Sequence, residues 1–286
     1  MGLGLSKTKH RIQAVKGTEK ITKSMELIAT VKLKQFRDAY EKTNAYTDEY
    51  AKLMAELFAH DTETGSHYGK PNEDVKSCLF IVISSDLGLC GSYNNELFKW
   101  VNKCATENDV IAPIGSKAVH HYSHDERFKN INHDFESLSL GSLDLSKIHS
   151  LCSRLKDSFN AKRYSRIYMI FTHYVNSITF APTRFQLLPV QVKQSKWENE
   201  TYCPPLFDEP PRTMIHRFMD DYLSAVFYGR LVESELSEQA SRRTAMDNAN
   251  DNADRMLQEL TIEYNKARQN AITQEITEVV SGASAN

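Results

Sequence analysis

The chain has 286 residues, 25% of them charged and 41% hydrophobic, and its formal net charge is −2. That composition belongs to ordinary folded protein, and the near-neutral balance argues against bulk binding of nucleic acid. No run of about 18 apolar residues exists, so no segment is expected to span a membrane, and the N-terminus lacks the apolar core of a secretory signal.

The first element is long. From Leu5 to Ala59 only Gly17 interrupts a sequence otherwise free of glycine and proline. A helix over that stretch would be about 80 Å long, more than a compact domain can bury, and points to a coiled coil. Ile21, Met25 and Ile28 form one apolar face, and Leu33, Phe36 and Tyr40 continue on a shifted one. The same stretch is basic: Lys7, Lys9, Arg11, Lys16, Lys20, Lys23, Lys32, Lys34 and Arg37 are opposed by few acids. The plain reading is a solvated helix face; the functional one is docking to an acidic partner.

The middle differs in kind. Cys78–Ile83 is a short apolar run, expected of a strand buried on both faces. Val110–Ile114 and Arg166–Thr172 read as further strands, and Ile178–Val192 as another around Pro182 and Pro189. Helical patterns at Asn95–Ala105 and Leu145–Asn160 alternate with them, which implies parallel pairing in a Rossmann-like α/β layer. The expected α/β domain covers residues 75–194.

The last element mirrors the first. From Thr213 to Ser281 only Gly229 intervenes. Ala249, Ala253, Met256, Leu260, Tyr264, Ala267 and Ala271 recur at the average step of a coiled-coil seam. Ile215, Tyr222, Val226, Val232, Leu236 and Ala240 hold a similar face upstream. Asp208–Pro211 supplies a start signal and Gly282 a stop. The expected architecture is therefore an antiparallel two-helix coiled coil, from residues 1–60 and 208–286, with the α/β domain inserted between.

Four features were weighed for chemistry. The loop Ser84–Ser92 follows a strand and precedes a helix, where α/β folds hold phosphate, but it is neither G-x-G-x-x-G nor a Walker loop. Its glycines, Gly88 and Gly91, fit a tight turn with positive φ. Cys90 sits where a helix N-terminus could lower its pKa, yet no base accompanies it. His120 and His124 have metal-ligand spacing but no completing ligand except Asp125, so with His121 they read as a surface cluster. Asp247, Asp251, Asp254, Glu259 and Glu263 read as the outer face of the coil. The five cysteines, Cys78, Cys90, Cys104, Cys152 and Cys203, are scattered and form no C-x-x-C pair, which suits a reducing compartment. The sequon Asn199–Thr201 reads as chance.

Three motifs carry a resemblance. Lys20–Ala29 (KITKSMELIA) resembles the K-I-T-K-A-M-x-M-V-A helix of the gamma subunit of F1Fo ATP synthases. Ser84–Asn94 resembles that family's S-[ST]-D-R-G-L-C-G-x-x-N loop, with Leu87 where Arg is usual and Ser92 for a common Gly. Tyr264–Ile276 resembles its Y-N-[KR]-A-R-Q-x-x-I-T-Q-E-[IL] ending, and Ser237–Met246 fits as well. Spacing holds from end to end, and the match begins within a few residues of Met1, which suits the bacterial form.

The resemblance implies a central-stalk rotor that couples ion-driven rotation to ATP synthesis or hydrolysis in an alpha3beta3 ring. Catalysis would lie in beta, with no catalytic group, cofactor or metal here. Lys20, Lys23 and Met25 match the segment facing the acidic lever of beta. Arg268, Gln269 and Thr273 match residues that bond a loop of the ring higher on the shaft. Phe207 and Asp208 match the foot meeting the c-ring, the α/β domain is expected to contact epsilon, and Arg242 is expected to brace the N-terminal helix. The complex would sit at the cytoplasmic face of a bacterial plasma membrane, peripheral, and reach the membrane only through Fo. Two other readings share the helices: the shaft of an F1-like ATPase not coupled to proton flow, and a non-rotary coiled-coil adaptor. An enzyme built on the Ser84–Ser92 loop is a third.

Overall fold

A computed structural model of the chain describes residues 2–61, 67–136, 138, 144–176, 179–191 and 206–284. The sequon at Asn199, Cys203 and the expected domain end at Gln194 lie outside them. The order is α1 (Gly2–His60), β1 (Leu79–Ile83), α2 (Tyr93–Cys104), β2 (Val110–Ile114), α3 (Ser116–Tyr122), a 3-10 turn (His133–Phe135), α4 (Leu145–Asn160), β3 (Ile167–Tyr174), β4 (Phe180–Leu188) and α5 (Pro211–Ser284). Pro211 opens α5, where its missing N–H costs nothing and its fixed φ suits the first turn. Gly282 does not stop it, since α5 runs on to Ser284. The α3 turn, too short to show a period, was not anticipated. Among the described residues no helix is long and apolar enough to cross a membrane.

The sheet order is β2-β1-β3-β4. β1 pairs in parallel with β2 and β3, as alternating strands and helices require. β4 runs antiparallel to β3, the short connection after Tyr174 allowing nothing else. Every residue of β1 is buried, as a strand covered on both faces must be. Asp109 ties the β2 entry to β1: one carboxylate oxygen accepts from Cys78 N at 2.8 Å, the other from Thr106 N at 2.8 Å and Thr106 Oγ1 at 2.7 Å. Asp144 caps α4 by accepting from Ser146 N. Lys162 ends it in the left-handed region, with Arg163 N donating to Ser158 O and Lys162 N to Phe159 O, a Schellman closure.

The chain forms two compact units. One holds Met1–Val31 and Arg242–Asn286, the other Lys32–Ser241, so α1 and α5 supply residues to both. In the larger unit the apolar core joins the sheet and α4 to the helices through Met54, Leu57, Ile215, Met219, Leu223 and Phe227. The helices run antiparallel there: Leu33 packs with Leu236 and Ala240, Thr43 and Thr47 lie against Gly229, and His60 against Phe207.

The seam of α1 is stricter than its composition suggests. Leu5, Thr8, Ile12, Val15, Glu19, Thr22, Glu26, Ala29, Leu33, Phe36, Tyr40, Thr43, Thr47, Tyr50, Met54 and Leu57 are all buried or half-buried. They alternate steps of three and four, the 3.5-residue mean of a left-handed coiled coil. Ile21 and Ile28, expected on that face, are 62% and 57% exposed. The seam there is carried by Thr22 and Glu26 instead, which have partners across it. On α5 the inward residues from Met246 are Asn250, Ala253, Leu257, Leu260, Tyr264, Ala267, Ala271 and Gln274. Met256, expected on the seam, is 45% exposed, because a step of four from Ala253 selects Leu257.

Candidate functional site

The Ser84–Ser92 loop is built as a clasp. Ser84 Oγ accepts from Ala118 N at 2.7 Å and donates to Ile114 O, holding the α3 N-terminus to the end of β1. Asn94 returns from α2 to accept from Ser85 N and to donate to Ser85 Oγ at 2.7 Å. Asp86 accepts from Ser116 N at 3.0 Å. The polar groups that could cradle a phosphate are thus spent on one another. The left-handed residues are Leu89 (φ 62°) and Gly91 (φ 61°); Gly88, expected to be one of them, is not. Gly115 is the glycine that the geometry demands: at φ 88° a Cβ would stand 2.2 Å from Ser84 O. Cys90 is buried, and its carbonyl accepts from Ser241 Oγ at 2.7 Å.

That last bond belongs to a belt of polar contacts around α5, where every residue from Leu231 to Ser241 is buried. Tyr93 Oη lies 2.7 Å from Ser234 Oγ and donates to Ser234 O. Burial pushes its phenol well above the usual range, and the neighbouring Glu238 charge adds to the shift. Ser237 Oγ donates to Thr172 O at 2.8 Å, and Gln239 to Glu235. Glu233, fully buried, meets His173 and accepts from Arg230 Nη1 at 2.7 Å. The Arg230 guanidinium in turn lies over the Phe185 ring at 4.7 Å. These bonds offset the cost of placing such residues inside, while Thr172 Oγ1 and Arg230 Nε are buried with no hydrogen bond among the described residues.

The smaller unit presents a different surface. Lys20 and Lys23 are exposed and Met25 is half-buried at the flank of the seam. Lys23 is paired with Glu19 at 2.5 Å, and that bond raises its pKa. On the same stretch of α1, flanked by Lys20, Lys23 and Lys32, Ile21, Leu27, Ile28 and Val31 stand more than half exposed, an apolar row inside a basic face. Arg268, Gln269 and Thr273 are exposed on α5, while Arg242 is 6% exposed. In the larger unit Asp208 is exposed and Phe207 half-buried against His60. Asp247, Asp251, Asp254, Glu259 and Glu263 all face outward.

His120 and His124 have rings 4.8 Å apart at the surface, and His121 stacks on Phe98 at 4.2 Å. Among the described residues no group of three or more metal-ligating side chains converges. The exposed apolar row escaped the sequence reading because its residues have the composition of a seam; only the position of Asn250 tells the two faces apart.

Two long helices, α1 and α5, flank a four-stranded mixed α/β unit in the chain. The sequence matches the ATP synthase family over residues 4–285. The ATP synthase gamma chain of Mesoplasma florum is 33% identical over 284 residues, covering 98% of both chains. That of Fusobacterium nucleatum is 30% identical over 292 residues, covering 99% of both. In solved structures, the fold is similar to a chain of the Euglena gracilis mitochondrial ATP synthase rotor, with TM-score 0.64 and 18% identity over 95% of this chain and 100% of that one. It is also similar to a chain of the Tetrahymena thermophila central stalk and c-ring, with TM-score 0.59 and 22% identity over 80% and 99%. The chain belongs to the ATP synthase family, among its gamma chains. As a gamma chain it is a non-catalytic central-stalk subunit, the rotor of an F-type ATP synthase, in which catalysis lies in beta.

Proposed function

We propose that the chain turns inside an alpha3beta3 ring and transmits torque through two patches of its smaller unit. The basic face with Lys20, Lys23 and Met25 meets the acidic lever of beta. Arg268, Gln269 and Thr273 engage a ring loop. The observation that carries this is the exposure of Ile21, Leu27, Ile28 and Val31 among those lysines. Such a row has no partner along the seam and suits an amphipathic acidic helix. Because gamma is one asymmetric chain, each turn gives the three catalytic sites different contacts, and differential contact is what shifts their conformations. The α/β body contacts epsilon, and Phe207 with Asp208 meets the c-ring. The assembly lies at the cytoplasmic face of a bacterial plasma membrane, with the chain reaching the membrane only through Fo.

Arg268→Ala combined with Gln269→Ala tests the upper patch. Both side chains are exposed, so the chain should fold unchanged by circular dichroism while ATPase turnover or assembly of the complex falls. Unchanged assembly and turnover would count against these positions.

A further inference from the structure

In the smaller unit apolar inward positions of α1 flank a polar stretch: Ile12 and Val15 precede it and Ala29 follows it, with Thr8 the further polar inward position nearer the start of the helix. Between them three successive inward positions of α1 are Glu19, Thr22 and Glu26. The α5 residue facing them is Asn250, 6% exposed. Thr22 Oγ1 donates to Asn250 Oδ1, and Asn250 Nδ2 donates to Glu26 Oε2 at 2.7 Å. Glu19 turns outward to Lys23. The Thr22 hydroxyl also lies within bonding reach of Thr18 O and Glu19 O, so its single proton is contested.

We propose that the Thr22–Asn250–Glu26 layer is a soft joint in the shaft, where the two helices part locally and close again in only one register. Two physical facts support it. A polar residue at a core heptad position lowers the stability of the pair while specifying its alignment. When the helices separate here, water replaces each of the lost hydrogen bonds, whereas separation at Ile12 or Ala29 exposes apolar surface with nothing to offset it. Reclosure is selective. A slip of one heptad would carry Asn250 to Ala29 and Leu33 in one direction, leaving its amide buried without a bond, or to Val15 and Glu19 in the other, where valine replaces the Thr22 hydroxyl that donates to Asn250 Oδ1. A stem that opens at one place and recloses in one register can flex under load without losing its alignment.

Amide hydrogen exchange on the full-length chain tests this. In the native protein, exchange should peak locally at residues 19–28 and 247–255, at least about 10-fold faster than at the apolar seam nearer the chain ends, residues 10–16 and 257–264. Ordinary end fraying gives the opposite order, with exchange rising smoothly toward the tip. The variant Asn250→Leu with Thr22→Val and Glu26→Leu, which removes the whole polar layer, should then slow exchange in the layer by about 10-fold and leave the sheet amides unchanged. A smooth rise toward the tip in the native chain would overturn the proposal whatever the variant does. So would a local peak that the variant leaves in place.

Discussion

Helix α5 passes through two settings that differ more than its uniform backbone suggests. From Leu231 to Ser241 it is buried on every side, and Glu233, Ser234, Glu235, Ser237, Gln239 and Ser241 each find a partner in α2, the sheet, the clasp loop or the next turn. From Met246 to Gln274 one stripe faces inward and the rest faces water. In the first setting polar groups serve as adhesive between a sheet and a helix. In the second the inward stripe holds the pair, and most polar groups face water. The lesson is that buried polar bonding is concentrated in the larger unit, while in the smaller the polar side chains mostly face water.

Breaking that contrast should cost most where the larger unit is tightest. Gly115→Ala puts a methyl into Ser84 O at a left-handed position, and should destabilise by about 3–4 kcal/mol, from strained φ and overpacking together, read by urea unfolding. Glu233→Ala leaves Arg230 and His173 facing an empty buried site and should cost about 3 kcal/mol. Tyr93→Phe removes a buried hydroxyl from Ser234 and should cost about 1–2 kcal/mol. On the exposed ridge of the smaller unit, Asp251→Ala should change stability by less than about 0.5 kcal/mol. A cost at Asp251 equal to that at Tyr93 would erase the contrast.

Alkali sharpens it further. Burial pushes the Cys152 thiol to about 12, and raises the phenols of Tyr93 and Tyr222. All three lie in the larger unit. Folding holds these protons that the unfolded chain releases near its ordinary values of 9 to 10. The unfolded state therefore binds fewer protons in that range, and stability should fall as pH rises above about 9. A urea midpoint that stays flat from pH 8 to 11 would contradict this.

Much of the fold could be read from the chain. Two long stretches poor in glycine and proline announced α1 and α5, and β2 ran over the very residues expected. What escaped reading did so for physical reasons. Ile21 and Ile28 have seam composition but face solvent, because hydrogen bonds across the pair let Thr22 and Glu26 take the inward places. Met256 yielded to Leu257 by one step of the heptad, a difference of a single position that composition does not distinguish. In the clasp loop Gly91 took the left-handed conformation expected of it but Leu89 took it in place of Gly88, while the glycine with least room, Gly115, sat beyond the motif and was visible only once β1 and β2 were paired. The proposed contact residues rest on the resemblance alone, since an exposed lysine looks the same whether it meets water or a partner.

The central claim is that this chain is a rotor. A tagged copy purified gently from membranes tests it most directly, by assaying the eluate for ATPase activity and subunit ratio. The account predicts ATP hydrolysis and two larger subunits, each at three copies per tagged chain, with a c-ring where the complex remains coupled. A self-associated homodimer with no ATPase activity would contradict it.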